Sequence, residues 1–210
     1  MFRMVGIFFL IMVFGCSTLG VSAPQGKESQ AISSAFPYAC SGQYQHKELS
    51  EKDILQELKA HEKWLIDPKD PEGHQGNFCG AKLPLALRDK FKQEVNLNSA
   101  IFKMAMFPGA KFTGAKLNKA QLQGANLSGA VFSNAQLAES GLDDAMLHRA
   151  SFQGANLHGA SLRHAMLYQA KFQGVDLTNT TGLTQSQINM ACLDRDTKLP
   201  QGLKWLEPPC

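Results

Sequence analysis

The sequence predicts an all-β solenoid whose chain turns a corner every five residues and completes a coil every twenty. Three observations carry this. From Leu97 to Leu177 every fifth residue is Leu or Phe, as in Leu97, Phe102, Phe107, Phe112 and Leu117. Two residues before each centre stands a small residue, usually Ala, such as Ala110, Ala115, Ala120 and Ala125. Phe112, Phe132, Phe152 and Phe172 recur at intervals of twenty, with Leu at the centres between them.

A five-residue period fits neither a helix, at 3.6, nor a flat strand, at 2. It fits short straight sides joined by corners, and the Phe interval sets four sides per coil. Coils then stack at roughly 4.8 Å, each backbone pairing with the next. The Leu or Phe centre fills the axis, and the Ala two before it also points inward, small enough for the walls to close. Two after the centre lies the corner. It holds Gly109, Gly114, Gly124, Gly129, Gly154, Gly159 and Gly174, with Asn134 and Asn179, residues that accept φ > 0.

Units such as Ala125-Asn126-Leu127-Ser128-Gly129 resemble the A(D/N)LXX repeats of the pentapeptide-repeat family. The resemblance implies a right-handed quadrilateral β-helix over 95–180. Leu58, His61, Trp64 and Leu65 resemble the helix that often precedes such repeats. The stretch from Thr181 through Leu203 resembles a frequent closing segment. The family shares no active site, so the resemblance implies no catalytic or cofactor-binding residue.

The flanks complete the expected organisation. Residues 1–23 read as an export leader: Arg3, then an apolar run from Val5 to Phe14, too short to span a bilayer. Val13-Phe-Gly-Cys16 resembles a bacterial lipobox, which implies lipidation of Cys16. Val21-Ser-Ala23 resembles an ordinary signal-peptidase site, but Pro24 follows it. The expected location is the periplasm, or the outer membrane through a lipid anchor. Residues 24–35 read as a tether.

Residues 36–94 form an expected N-terminal helical cap. Ser50 to Asp53 carries a helix-capping pattern, and Ile54, Leu55, Leu58, His61 and Leu65 follow at helical spacing. Phe78 and Leu83 read as two outlying pentads, and Leu85 to Glu94 as a short inserted helix. Residues 181–210 form the C-terminal cap. Thr184 to Gln187 opens a helix, and Leu199, Leu203, Trp205 and Leu206 are placed to seal the last coil. A β-helix with bare ends exposes unpaired backbone to other chains.

Apart from Cys16, four cysteines remain: Cys40, Cys79, Cys192 and Cys210. An even number in an exported chain reads as a disulfide framework. The two ends of the solenoid are separated by roughly 20 Å, and a disulfide needs Cα atoms within about 7 Å. Cys40–Cys79 with Cys192–Cys210 is the pairing that meets this limit. Cys40, His46, His61, His74 and Cys79 share one region, but their spacing matches no zinc signature, and no metal is expected. No G-x-S-x-G, H-E-x-x-H or phosphate loop occurs. Asp143 with Arg163, Asp144 with His164 and Lys119 with Glu139 are each twenty apart. They read as surface cross-strand pairs whose replacement by Ala costs little.

The leading functional expectation is a non-enzymatic scaffold that contacts another envelope protein or itself. The alternatives are an enzyme of unknown type and a mimic of DNA acting on a topoisomerase, which the resemblance brings in. Mimicry needs dense negative charge, whereas the chain has net charge +3 and residues 95–134 carry four lysines and no acid. Nucleic-acid binding by those lysines lacks interleaved aromatic residues. Sorting the outward positions by the twenty-residue period singles out one face. It carries Met106, Met146, Met166, His148 and Tyr168 where the others carry Asn, Gln and Lys. These five form the candidate interface, since contiguous exposed apolar surface marks contact sites.

Overall fold

The computed structural model describes residues 40–91, 95–206 and 210. The expected leader and tether, with Cys16, lie outside them, as does the end of the inserted helix at Glu94.

Between 96 and 181 isolated parallel bridges join residues twenty apart, among them Asn96 to Lys116, Lys111 to Val131, Gln136 to Asn156 and Ser161 to Thr181. Each side of a coil is too short for a longer ladder. Within a pentad, the N–H after the corner donates back across the turn, as from Ala115 to the Phe112 carbonyl at 3.0 Å. The centre donates to the following coil, as from Phe112 to Val131 at 2.7 Å. Regular hydrogen bonding thus survives without regular strands, as buried backbone requires.

The core is the axis itself. Leu97, Phe112, Leu127 and Phe152 are buried with the intervening Ala residues. Phe112, Phe132, Phe152 and Phe172 stack in sequence, centroids 5.1, 5.0 and 4.8 Å apart and planes within 9°. Every corner from Ser99 to Gly174 takes a positive φ, including non-glycine residues such as Lys119 (60°), Glu139 (58°) and Arg149 (57°). Left-handed backbone costs a side-chain-bearing residue roughly 1–2 kcal/mol. The corner N–H, bonded to the next coil as from Glu139 to the His158 carbonyl at 2.8 Å, helps hold it there.

The solenoid begins earlier than the period suggests. Asn77 bridges Ile101 and Lys82 bridges Met106, a register of twenty-four, and Glu48 bridges Lys82. The surplus of four is taken up by a 3₁₀ helix at Leu85–Phe91, whose buried Phe91 packs 5.4 Å from the ring of Phe112. Tyr44 and Leu49 are buried centres, with His46 at a corner of φ 61°.

Helix α1, Glu51–Ile66, has the capping box at Ser50: its hydroxyl accepts from the Asp53 N–H, and the Asp53 carboxylate accepts from the Ser50 N–H at 2.8 Å. Hydrogen bonds donated to the carboxylate by the Ser50 hydroxyl, by Lys47 and by the Ser50 N–H hold the Asp53 carboxyl down at about 2. The buried face is Ile54, Glu57, Ala60 and His61. Leu55, expected on that face, is 47% exposed; it sits one residue round from Ile54, away from the contact side. Gly76 and Asn77 begin a coil edge. Their N–H groups donate to His61 Nδ1 at 2.9 Å and Glu57 Oε1 at 2.6 Å. Side chains of α1 thus supply the acceptors.

Helix α2, Gln185–Met190, opens at Thr184 with the expected capping box. At this end carbonyls need donors, and buried Gln187 supplies them, its Nε2 donating to the Leu162 and Ala165 carbonyls at 2.8 and 3.0 Å. Lys171 bridges Cys192 and Asp176 bridges Lys198, extending the stack past 181. Leu199 and Leu203 pack on the core. Trp205 and Leu206 do not seal it and are 38% and 56% exposed, because Leu193 already fills the axis there.

Candidate interaction face

Because the centre of each pentad points inward, the residues on either side of it point out. On one face the residues before the centres form the column Lys82, Met106, Asn126, Met146, Met166, joined rung to rung by bridges. The residues after the centres are Pro108, Ser128, His148 and Tyr168. Met190, at the end of α2, follows them, its carbonyl accepting from the Gln169 N–H at 2.8 Å.

The structure brings four of the five candidate residues together. Met146 and Met166 are bridge partners, and the rings of His148 and Tyr168 meet edge to face with centroids 6.5 Å apart. Met166 and Tyr168 are 49% and 50% exposed, while Met146 and His148 are half-buried. Met106 is exposed but separate, with Asn126 and Ser128 between it and the others. The patch is therefore concentrated toward α2. There a hollow of about 310 Å³ opens, lined by His148, His164, Met166, Tyr168, Gln187 and Met190 among others. Sequence alone did not show Met190 or the hollow, because both depend on where α2 lies. At its rim His164 Nδ1 is 3.4 Å from Asp144.

The other faces differ. On one, Asn98 and Asn118 side chains accept from the Asn118 and Ala138 N–H groups at 2.9 and 3.0 Å, closing a polar ladder on itself. On the next, Asp143 and Arg163 are paired at 3.2 Å. The expectation of a surface pair there needs correction. Asp143 is only 8% exposed and accepts from the Ser161 hydroxyl and from the Arg163 N–H at 3.0 Å. The Ser161 hydroxyl and the Arg163 N–H of the next coil draw this short side chain against the wall instead of letting it reach into water. Lys119 and Glu139, at 3.6 Å, remain an exposed pair.

Cys40 and Cys79 stand at disulfide distance, Cα atoms 5.6 Å apart, and Cys192 and Cys210 at 5.5 Å. His61 is buried against Trp64, His74 lies 3.4 Å from Glu57, and His46 occupies its corner. Among the described residues no three His, Cys, Asp or Glu side chains converge on a metal position. Nor is any described helix long and apolar enough to cross a membrane.

Stacked four-sided coils of five-residue sides, each contacting only its neighbours, define a β-solenoid. The family of pentapeptide repeats matches in eight copies over residues 115–154 and 145–181. The chain belongs to the pentapeptide-repeat family. Three solved pentapeptide repeat proteins are similar. One from the cyanobacterium Cyanothece 51142 is 30% identical over 51% of this chain and 66% of its own, with a TM-score of 0.34. One from the Arabidopsis thaliana thylakoid lumen is 26% identical over 44% and 71%, TM-score 0.30. HetL of Nostoc sp. strain PCC 7120, involved in heterocyst differentiation regulation, is 25% identical over 58% and 65%, TM-score 0.29. The chain thus spans about two thirds of these relatives' lengths. No curated protein matches it.

Proposed function

We propose that the protein is an exported, non-enzymatic interaction scaffold of the bacterial envelope, held at the periplasmic side of a membrane by lipid on Cys16. The solenoid is the rigid part, α1 and α2 cover its ends against edge-to-edge growth, and two disulfides fix the covers. Its contact surface is the Met146, Met166, His148 and Tyr168 face. One observation carries this reading: among the described residues, it is on that wall that large apolar side chains stand half exposed on adjacent rungs, where neighbouring walls bind their polar groups to themselves. Flexible, polarizable Met suits an adaptable contact.

The family accommodates DNA mimicry as well as it does this reading. The charge of this chain favours the scaffold, since residues 95–134 carry Lys103, Lys111, Lys116 and Lys119 and no acid. A photocrosslinking residue at Tyr168 is expected to trap a partner or a second copy in envelope fractions. The same residue at Thr113 is expected not to. Equal yields at the two positions would remove the assignment of the face, and inhibition of gyrase supercoiling by the protein would favour mimicry.

A further inference from the structure

The wall around Leu147 and Leu167 gathers soft donor atoms. Met146 and Met166 are bridge partners, so their Cα atoms stand about one rung, roughly 4.8 Å, apart. His148 is two residues from Met146 on the same outward side, about 6.6 Å along the chain. His148 and Met166 line the same hollow, and no carboxylate is among the residues lining it. Thioether sulfur on an unbranched chain with three rotatable bonds can converge on one point from two rungs.

Hard cations want oxygen ligands, which this lining lacks as carboxylates. Thioethers select Cu(I), and imidazole accompanies them readily. We infer that Met146, Met166 and His148 form a binding site for a soft monovalent metal ion, Cu(I) or its redox-inert analogue Ag(I). The two sulfurs and the imidazole make up a three-coordinate donor set at the surface: His148 and Met166 open onto the hollow, and Met146 joins them from the adjoining rung outside its lining. Met106 is the built-in control: its bridge partners are Lys82 and Asn126, so it has no second sulfur on an adjoining rung. The site uses residues of the proposed contact face but does not depend on what that face docks. Met→Leu keeps the apolar surface and volume while removing the sulfur.

The test is an Ag(I) titration of the full chain, thiols alkylated, in chloride-free buffer, read from ¹³C-methyl methionine resonances. The Met146 and Met166 methyls are expected to shift together and saturate at one ion per chain, with Met106 unmoved. Met146→Leu, Met166→Leu and His148→Gln are each expected to weaken binding at least tenfold, and Met106→Leu to leave it unchanged. Thermal melts of the variants confirm that the fold is kept. Unchanged affinity in the Met146→Leu, Met166→Leu double variant would overturn the site. So would a uniform response of all methionines.

Discussion

The backbone N–H of Gly76 donates to Nδ1 of His61 at 2.9 Å, across the contact between α1 and the first coil edge. An accepting Nδ1 belongs to a neutral imidazole. Burial is the main reason the His61 pKa falls to about 4; the Asn98 carbonyl partly opposes this, and His74 adds to it. The unfolded chain, near 6.5, therefore binds a proton before the folded one does. Stability from this group is complete above about pH 6.5 and is lost as pH falls toward 4, by about 3 kcal/mol in all. Urea denaturation from pH 7 to 4.5 is expected to show the decline, and His61→Asn to flatten it. Parallel curves for the two proteins would refute the assignment.

Asp143 gives the second prediction. Its carboxylate takes the Ser161 hydroxyl, the Arg163 N–H and the Arg163 guanidinium. Removing it strands a backbone donor and a hydroxyl in a nearly closed setting, which costs about 1–3 kcal/mol. Asp143→Ala is expected to lower the thermal midpoint measurably, whereas Glu139→Ala, in an exposed pair, is expected to change it little.

Most of the wall was legible in the sequence, because each pentad position has one job and repeats it. Centre, small residue and corner can be assigned by counting, and the corner holds even where Lys119 or Arg149 replaces Gly. What escaped were departures from the count. Tyr44 and Leu49 are true centres, but α1 separates them from Phe78, and Lys47 stands two before Leu49 where the small residue belongs. Gln187 reads as a helix residue, yet its amide substitutes for a missing rung. Asp143 and Arg163 were correctly placed on neighbouring coils; the depth of Asp143 depends on the Ser161 and Arg163 donors it meets there, which spacing does not encode.

For the cysteines, peptide mapping without reduction is expected to recover Cys40 with Cys79 and Cys192 with Cys210. The loops closed span 39 and 18 residues. Opening them by Cys→Ser in both partners is expected to cost about 4 and about 3 kcal/mol on the chain-entropy account. Free thiols at these four positions in protein prepared without reductant would contradict the pairing.

Gly182 supplies a backbone test. It has φ +77°, and an added Cβ would lie 2.7 Å from Arg163 Cα and 2.8 Å from its N. Neither strain nor clash can be relieved by a side-chain shift, so Gly182→Ala is expected to destabilise by about 2 kcal/mol or more. Gly129, at φ +68° with open space around it, carries the strain alone, and Gly129→Asn is expected to cost under about 1 kcal/mol. Equal melting temperatures for the two variants would show that the Gly182 contact does not matter.

The scaffold reading rests on one wall being the contact surface, and charging that wall tests it most directly. Met146→Lys with Met166→Lys places two cations on adjacent rungs of the patch, where outward side chains reach water without disturbing the axis. The account predicts an unchanged circular dichroism spectrum together with loss of the partner in crosslinking pull-down, or loss of the oligomer in sedimentation if the partner is a second copy. A folded double variant that recovers every partner at wild-type yield and sediments at the same mass would contradict it.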